Sequence, residues 1–162
     1  LFNSQIKTLG LVILVLFCMF LILFRSLKIS LIALVPNLLS IGSVLGLMGI
    51  LSIPLDMMTI TIAAISMGIA VDNTIHYIFR HRNEFIHHKK YEKAMVSSHN
   101  SIGYALYYTT LTIIVGFSIL VFSNFIPSIY FGLLTSLAML VALLASLTLV
   151  PRLLSFFKPY SI

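Results

Sequence analysis

The 162 residues are 60% hydrophobic and 9% charged, with a mean hydropathy of +1.12 and a formal net charge of +6. That balance excludes a soluble globular domain and reads as a polytopic membrane protein. The basic residues lie almost wholly between apolar runs, so they report membrane orientation and not nucleic-acid binding; the single cysteine, Cys18, sits inside an apolar run and leaves no disulfide framework or metal cluster.

The chain begins at Leu1 with no charged n-region and cleavage site, and reads as the end of a longer protein. Five apolar runs approach the ~20 residues that cross a bilayer, at 8–24, 29–51, 55–79, 102–122 and 129–150. The expected fold is an all-α membrane protein, a bundle of five transmembrane helices occupying 8–152. Arg25 and Lys28 flank the first connection, and Arg80, Arg82, Lys89, Lys90 and Lys93 crowd the third, 80–101. Arg152 and Lys158 lie at the tail, 153–162, whereas the second and fourth connections carry no Lys or Arg. The basic connections and the tail are therefore expected to be cytoplasmic, with residues 1–7 outside as the end of an extracytoplasmic segment.

The first helix is rich in Leu, Val and Phe and carries no polar group that needs a role. In the second, Pro36 removes a backbone hydrogen bond and predicts a kink, and Asn37 adds an amide at membrane depth. Gly42 and Gly46 form a GxxxG, flanked by Ser40, Ser43 and Gly49, whose expected use is close packing of two helices. Ser52-Ile53-Pro54 predicts a tight hairpin, and Asp56 is expected to stand in the first turn of the third helix, where the helix dipole favours an acid.

The third helix holds the feature that points to function. Asp72 lies well inside its apolar run, eight residues or about 12 Å before Arg80. A charge at the centre of a membrane helix costs about 2.5–3.5 kcal/mol on insertion scales, so an intramembrane carboxylate marks an ion or proton pathway by default. The bland alternative is an Asp held permanently by hydrogen bonds for packing. Thr61, Ala64, Gly68, Asp72 and His76 recur at helical spacing and form one small, polar stripe suited to face other helices. His76, one turn below Asp72, can pair with it as a relay or serve as a structural hydrogen-bonder, and Asn73 can bond but not titrate. Asp72 is accordingly expected to take up and release protons in a transporter.

The 80–101 connection carries His81, His87, His88 and His99 among Lys and Glu. With no Cys or carboxylate at ligand spacing it reads as a solvated, partly helical loop without metal, running from 91 into the fourth span. That span bears Tyr107, Tyr108, Thr109, Thr110, Thr112 and Gly116; Thr109, Thr112 and Gly116 share a face expected to meet the Asp72 stripe. The fifth, expected to end at Pro151, has Thr135, Ser136, Ser146 and Thr148, which suit packing. No Ser/His, paired-Asp or HExxH arrangement stands at membrane depth, so no enzyme and no cofactor are expected.

GIAVDNTIHYIFRHR, preceded by VPNLLSIGSVLGLMGILSIPLDMMTITIAAIS and followed by TTLTIIVGFSILVFSNFIPSIYFG, resembles the resistance–nodulation–division (RND) superfamily. The branch it resembles is the MMPL-like or hydrophobe/amphiphile-efflux exporters, whose membrane half is also similar to sterol-sensing domains. The resemblance covers about 5–152 and rests on the ordered set VPN, IPLD, GxxxDN, TxxxGF and SxFxP…FG. It implies that these five helices are the last five of a six-helix half, the C-terminal one, with the other half and the extracytoplasmic porter domains lying elsewhere in the same protein. It also implies that Asp72 carries protons at the interface of the halves, with a hydroxyl from Thr112, backed by Thr109. Asn73 stands where many members have a second acid or a Tyr. The implied function is proton-motive-force-driven export of lipids or other hydrophobic compounds across a bacterial inner membrane. Its partners would be protons, membrane lipids, the hydrophobic substrate and, as a homo-oligomer, further copies. Two other readings remain: a sterol- or lipid-sensing module using the grooves at 42–49 and 63–68, and an accessory component of protein export.

Overall fold

The computed structural model describes residues 2–53 and 57–160, and the side chains of 7–53 and 61–160. Five helices are long and apolar enough to cross a membrane. They are α1 (Phe2–Phe24), α2 (Leu27–Ile50), α3 (Met57–His88), α4 (Tyr91–Phe122) and α5 (Ile126–Phe157), and no strand occurs among the described residues. Pro54 and Asp56 lie outside them, so the hairpin and the first-turn acid are not described.

Three helices stop the same way. Arg25, Lys89 and Lys158 each adopt a left-handed φ of 49°, 51° and 42°, and each donates its N–H to the carbonyl four residues back: Leu21 at 2.9 Å, Phe85 at 2.8 Å and Leu154 at 3.0 Å. A non-glycine residue pays about 1–2 kcal/mol for that conformation. A cation at a helix C-terminus recovers about 0.3–1 kcal/mol of it through the macrodipole. Basic residues thus terminate α1, α3 and α5.

The 80–101 connection is not a loop. α3 continues to His88 and α4 begins at Tyr91, leaving Lys89 and Lys90 as the whole turn. Helix persists beyond the apolar run because Tyr77, His81 and Phe85, at spacing four, give it a buried inner face. Nor does α5 end at Pro151. A π turn at Ala145–Leu149, in which Val150 N–H reaches Ala145 O, precedes a further α-helical stretch, Val150–Phe157, with Pro151 buried near its start. α4 carries a matching π turn at His99–Gly103 and tightens to a 3-10 turn at Ile119–Phe122. α2 runs on through Pro36, where the Asn37 amide donates to Ala33 O at 2.8 Å.

The core lies where α2, α3 and α5 meet. Ile32, Ala33, Met67, Val71, Ile78, Leu143 and Leu154 fill one cluster, and Val44, Met48, Ile62, Leu134 and Ala138 a second. Lipid tails are as apolar as these side chains, so close packing and interhelical hydrogen bonds hold the helices together. Ser40 Oγ donates to Ala138 O at 3.0 Å, and the Thr74 and Ser146 hydroxyls lie 3.4 Å apart. α1 and α4 lie at the periphery with few of their residues buried.

Candidate functional site

Along α3 the polar residues separate onto two sides. Asn73 and Thr74 point inward and are buried. Thr61, Ala64, Gly68, Asp72 and His76 form the expected stripe, and every one of them is exposed on the outside of the bundle. Asp72 Oδ1 lies 3.3 Å from His76 Nε2, with the two side chains 65% and 58% exposed. The spacing of four on a helix makes this pair possible, and no other element of the described chain covers it. The stripe therefore faces away from the core of the described helices.

On the inward side the polar groups join helices. Asn73 Nδ2 donates to Thr110 Oγ1 at 3.4 Å, the contact that ties α3 to the middle of α4. The sequence pointed to Thr112, with Thr109 behind it, as hydroxyls for the Asp72 stripe. In the structure both are exposed on α4 and donate to their own backbone, Thr112 to Tyr108 O and Thr109 to Ala105 O, each at 2.9 Å. Hydroxyls at membrane depth satisfy themselves this way when no neighbour competes. The geometry thus joins Asp72 with His76 and Asn73 with Thr110, and leaves Thr112 apart from both.

The packing glycines need the same correction. Gly42, Gly46, Gly68 and Gly116 are all exposed, and a Cβ added at any of them would meet nothing within 4 Å. Among the described residues they bring no two helices together; they are bare patches on the outer surface. The close approach occurs at Gly132, where a Cβ would lie 2.5 Å from Phe117 O and 3.0 Å from Leu120 Cβ. Nothing in the spacing of Gly132 marks it, because the residue it must clear is a backbone carbonyl on another helix.

Toward the C-terminal end of α3, α3 and α4 are tied by polar contacts. Arg80 reaches Glu84 at 2.8 Å and donates through Nε to Ser101 Oγ at 3.0 Å, while Ser97 donates to Glu84 at 2.6 Å. No group of three or more His, Cys, Asp or Glu among the described residues stands close enough to hold a metal ion.

The sequence model of the MMPL family matches residues 1–158. The membrane protein MJ1562 of Methanocaldococcus jannaschii is 30% identical over 153 residues, which cover 94% of this chain and 38% of that protein. The hopanoid transporter HpnN of Burkholderia multivorans is 31% identical over 110 residues, 65% of this chain and 12% of that protein. The chain thus spans well under half the length of these relatives. No solved structure matches it.

Proposed function

This chain belongs to the MMPL family, and we propose that it forms part of a proton-motive-force-driven exporter of lipids or other hydrophobic and amphiphilic compounds, with Asp72 as its intramembrane proton carrier. The observation that carries the reading is the outward placement of Asp72 and His76 on a stripe of small residues. An ionised carboxylate cannot face hydrocarbon cheaply, whereas a protonated one can. A carboxyl on the rim of a helix bundle therefore couples its protonation to whether another protein element covers it. More than half of each relative's length lies outside the matched region, which leaves ample chain for a second membrane half and for porter domains.

In this scheme a proton leaving Asp72 meets His76 Nε2 3.3 Å away, one turn nearer the basic end. That end, with Arg25, Lys28, Arg80, Arg82, Lys89 and Lys90, faces the cytoplasm. The driving force is adequate: one charge crossing 100 mV supplies about 2.3 kcal/mol, and each pH unit adds about 1.4 kcal/mol. One relative is named for hopanoids, and hydrophobic cargo of that kind suits a protein whose outer faces carry bare glycine patches.

Those same patches favour a second reading, a lipid-binding module without turnover. The experiment that separates the two is export by the full-length protein in proteoliposomes under an imposed proton gradient, comparing wild type with Asp72→Asn. Loss of gradient-driven export with normal insertion supports the carrier. Export that persists assigns coupling elsewhere, and lipid binding with no gradient dependence supports the module.

A further inference from the structure

Outside the stripe, the least ordinary side chain is His81. It is fully buried, yet among the described residues neither ring nitrogen has a hydrogen-bond partner. It belongs to an inward stripe on the α3 extension, Tyr77, His81 and Phe85, that packs against Tyr91 of α4 and Tyr160 of the segment after α5. The His81 ring stacks on Tyr77 and Tyr160 with centroids 6.3 and 5.8 Å away and lies tilted against Tyr91 at 6.1 Å. Tyr160 closes the cluster, 5.2 Å from the Phe85 ring and 5.7 Å from that of Tyr91. The left-handed Lys158 turns the chain out of α5 so that Tyr160 can return.

Tyr160 is gripped by its backbone. Its N–H donates to the Tyr91 hydroxyl at 2.9 Å, and that hydroxyl donates to the Tyr160 carbonyl at 3.1 Å. Among the described residues the titratable groups facing His81 are Tyr77, Tyr91, Tyr160 and His99, with no carboxylate among them. A buried neutral imidazole without a partner forgoes both a donor and an acceptor, and a charged one would need water or a counter-ion that this cluster does not provide. Ring faces attract a cation, but less than they cost it in lost hydration.

We propose that this cluster is an acid-released clasp. With His81 neutral, Tyr160 stays seated and holds the cytoplasmic ends of α3, α4 and α5 together; protonation of His81 unseats Tyr160 and frees the α3 extension. The sign follows from linkage. Only the open, hydrated state accepts the proton readily, so the closed form is favoured above the ordinary histidine value of ~6.5 and loses up to about tenfold in population ratio for each pH unit below it. The clasp stands independently of Asp72, since His81 faces inward and the stripe faces out.

The test is 19F NMR of the full-length protein in nanodiscs, with 3-fluorotyrosine incorporated at position 160 alone and a soluble gadolinium chelate reporting exposure. The expected result is a protected Tyr160 at pH 7.5 and a several-fold rise in paramagnetic broadening at pH 5. His81→Phe, which keeps a ring and removes the titration, should stay protected at both. Equal protection of the wild type at both pH values overturns the clasp, as does opening of His81→Phe at the wild-type midpoint. Tyr91→Phe removes the hydroxyl that grips Tyr160 and should open at pH 7.5 with His81 in place; a protected Tyr160 in that variant overturns the proposal as well.

Discussion

His99 Nε2 lies 2.9 Å from the carbonyl oxygen of Leu147, four residues before Pro151. In a regular α-helix that carbonyl would receive the N–H of residue 151, and proline has none. Whenever Nε2 carries a proton, the imidazole supplies the missing donor from the neighbouring helix. Nδ1 lies 3.0 Å from the Tyr77 hydroxyl and 2.9 Å from the Met95 carbonyl oxygen, so one ring links α3, α4 and α5 where both π turns sit. π turns recur at functional positions because they leave backbone groups open to such outside partners.

Removing that ring should therefore destabilise the bundle, and the cost should depend on Pro151. His99→Phe is expected to cost about 1–3 kcal/mol, the price of a buried carbonyl left without a donor. In a Pro151→Ala background the amide of residue 151 becomes available, and the same change should cost at least about 0.5 kcal/mol less. Chemical unfolding of the four variants in detergent micelles measures the coupling; strictly additive costs would show that His99 does not serve the Leu147 carbonyl.

Gly132→Ala is expected to loosen the α4–α5 hairpin. The added methyl meets Phe117 O at 2.5 Å, and a backbone carbonyl cannot rotate away as a side chain can. Overpacking of this kind costs about 1–3 kcal/mol. Gly46→Ala and Gly116→Ala enter open space in this chain, so any effect they have appears only where another protein element covers those faces. Thermal denaturation of the three variants ranks them; a Gly132→Ala protein as stable as wild type would mean that the helices separate without cost.

Thr110 and Thr112 differ by two positions and should differ in consequence. Thr110→Val removes the acceptor of the Asn73 amide and leaves a buried donor, an interhelical loss of about 0.6 kcal/mol by membrane double-mutant averages. Thr112→Val removes a hydroxyl bonded only to its own helix, with stability expected to stay within about 0.5 kcal/mol. If Thr112→Val nevertheless abolishes gradient-driven export, the hydroxyl meets the proton path through a conformation other than this one.

The contrast between those two threonines marks what the sequence makes legible. Hydropathy identifies the five spans, and helical spacing places Asp72, Gly68 and His76 on one stripe, because both depend on the chain's own periodicity. Which way a stripe points does not follow. Glycine faces at 42, 46 and 116 satisfy the pattern for packing equally well whether the partner helix belongs to this chain or to another element, and here they face out. Apolar residues serve both lipid and core, so hydropathy does not show that few residues of α4 are buried. His81 is concealed for the opposite reason. Its charged neighbours Arg80 and Arg82 mark a solvated loop, while its burial depends on Tyr160, nearly eighty positions away. A repeat of Tyr77, His81 and Phe85 at spacing four was the available signal that the helix goes on.

Asp72→Asn tests whether the outward carboxylate carries protons or only packs. In this chain its partner is His76, and both are more than half exposed, so the amide should fold and insert like the carboxylate, with stability within about 0.5 kcal/mol. A carrier predicts that gradient-driven export disappears while substrate binding persists, because the amide fills the same volume but cannot change charge. His76→Gln, which keeps a hydrogen-bonding side chain without a titrating ring, should slow export and leave its dependence on Asp72 intact. A packing residue predicts the reverse pattern: a lower melting temperature for Asp72→Asn, with export still driven by the gradient. Measuring both quantities on the same reconstituted preparation separates the two, since a proton carrier moves the first with no change in the second, and a packing residue moves the second alone.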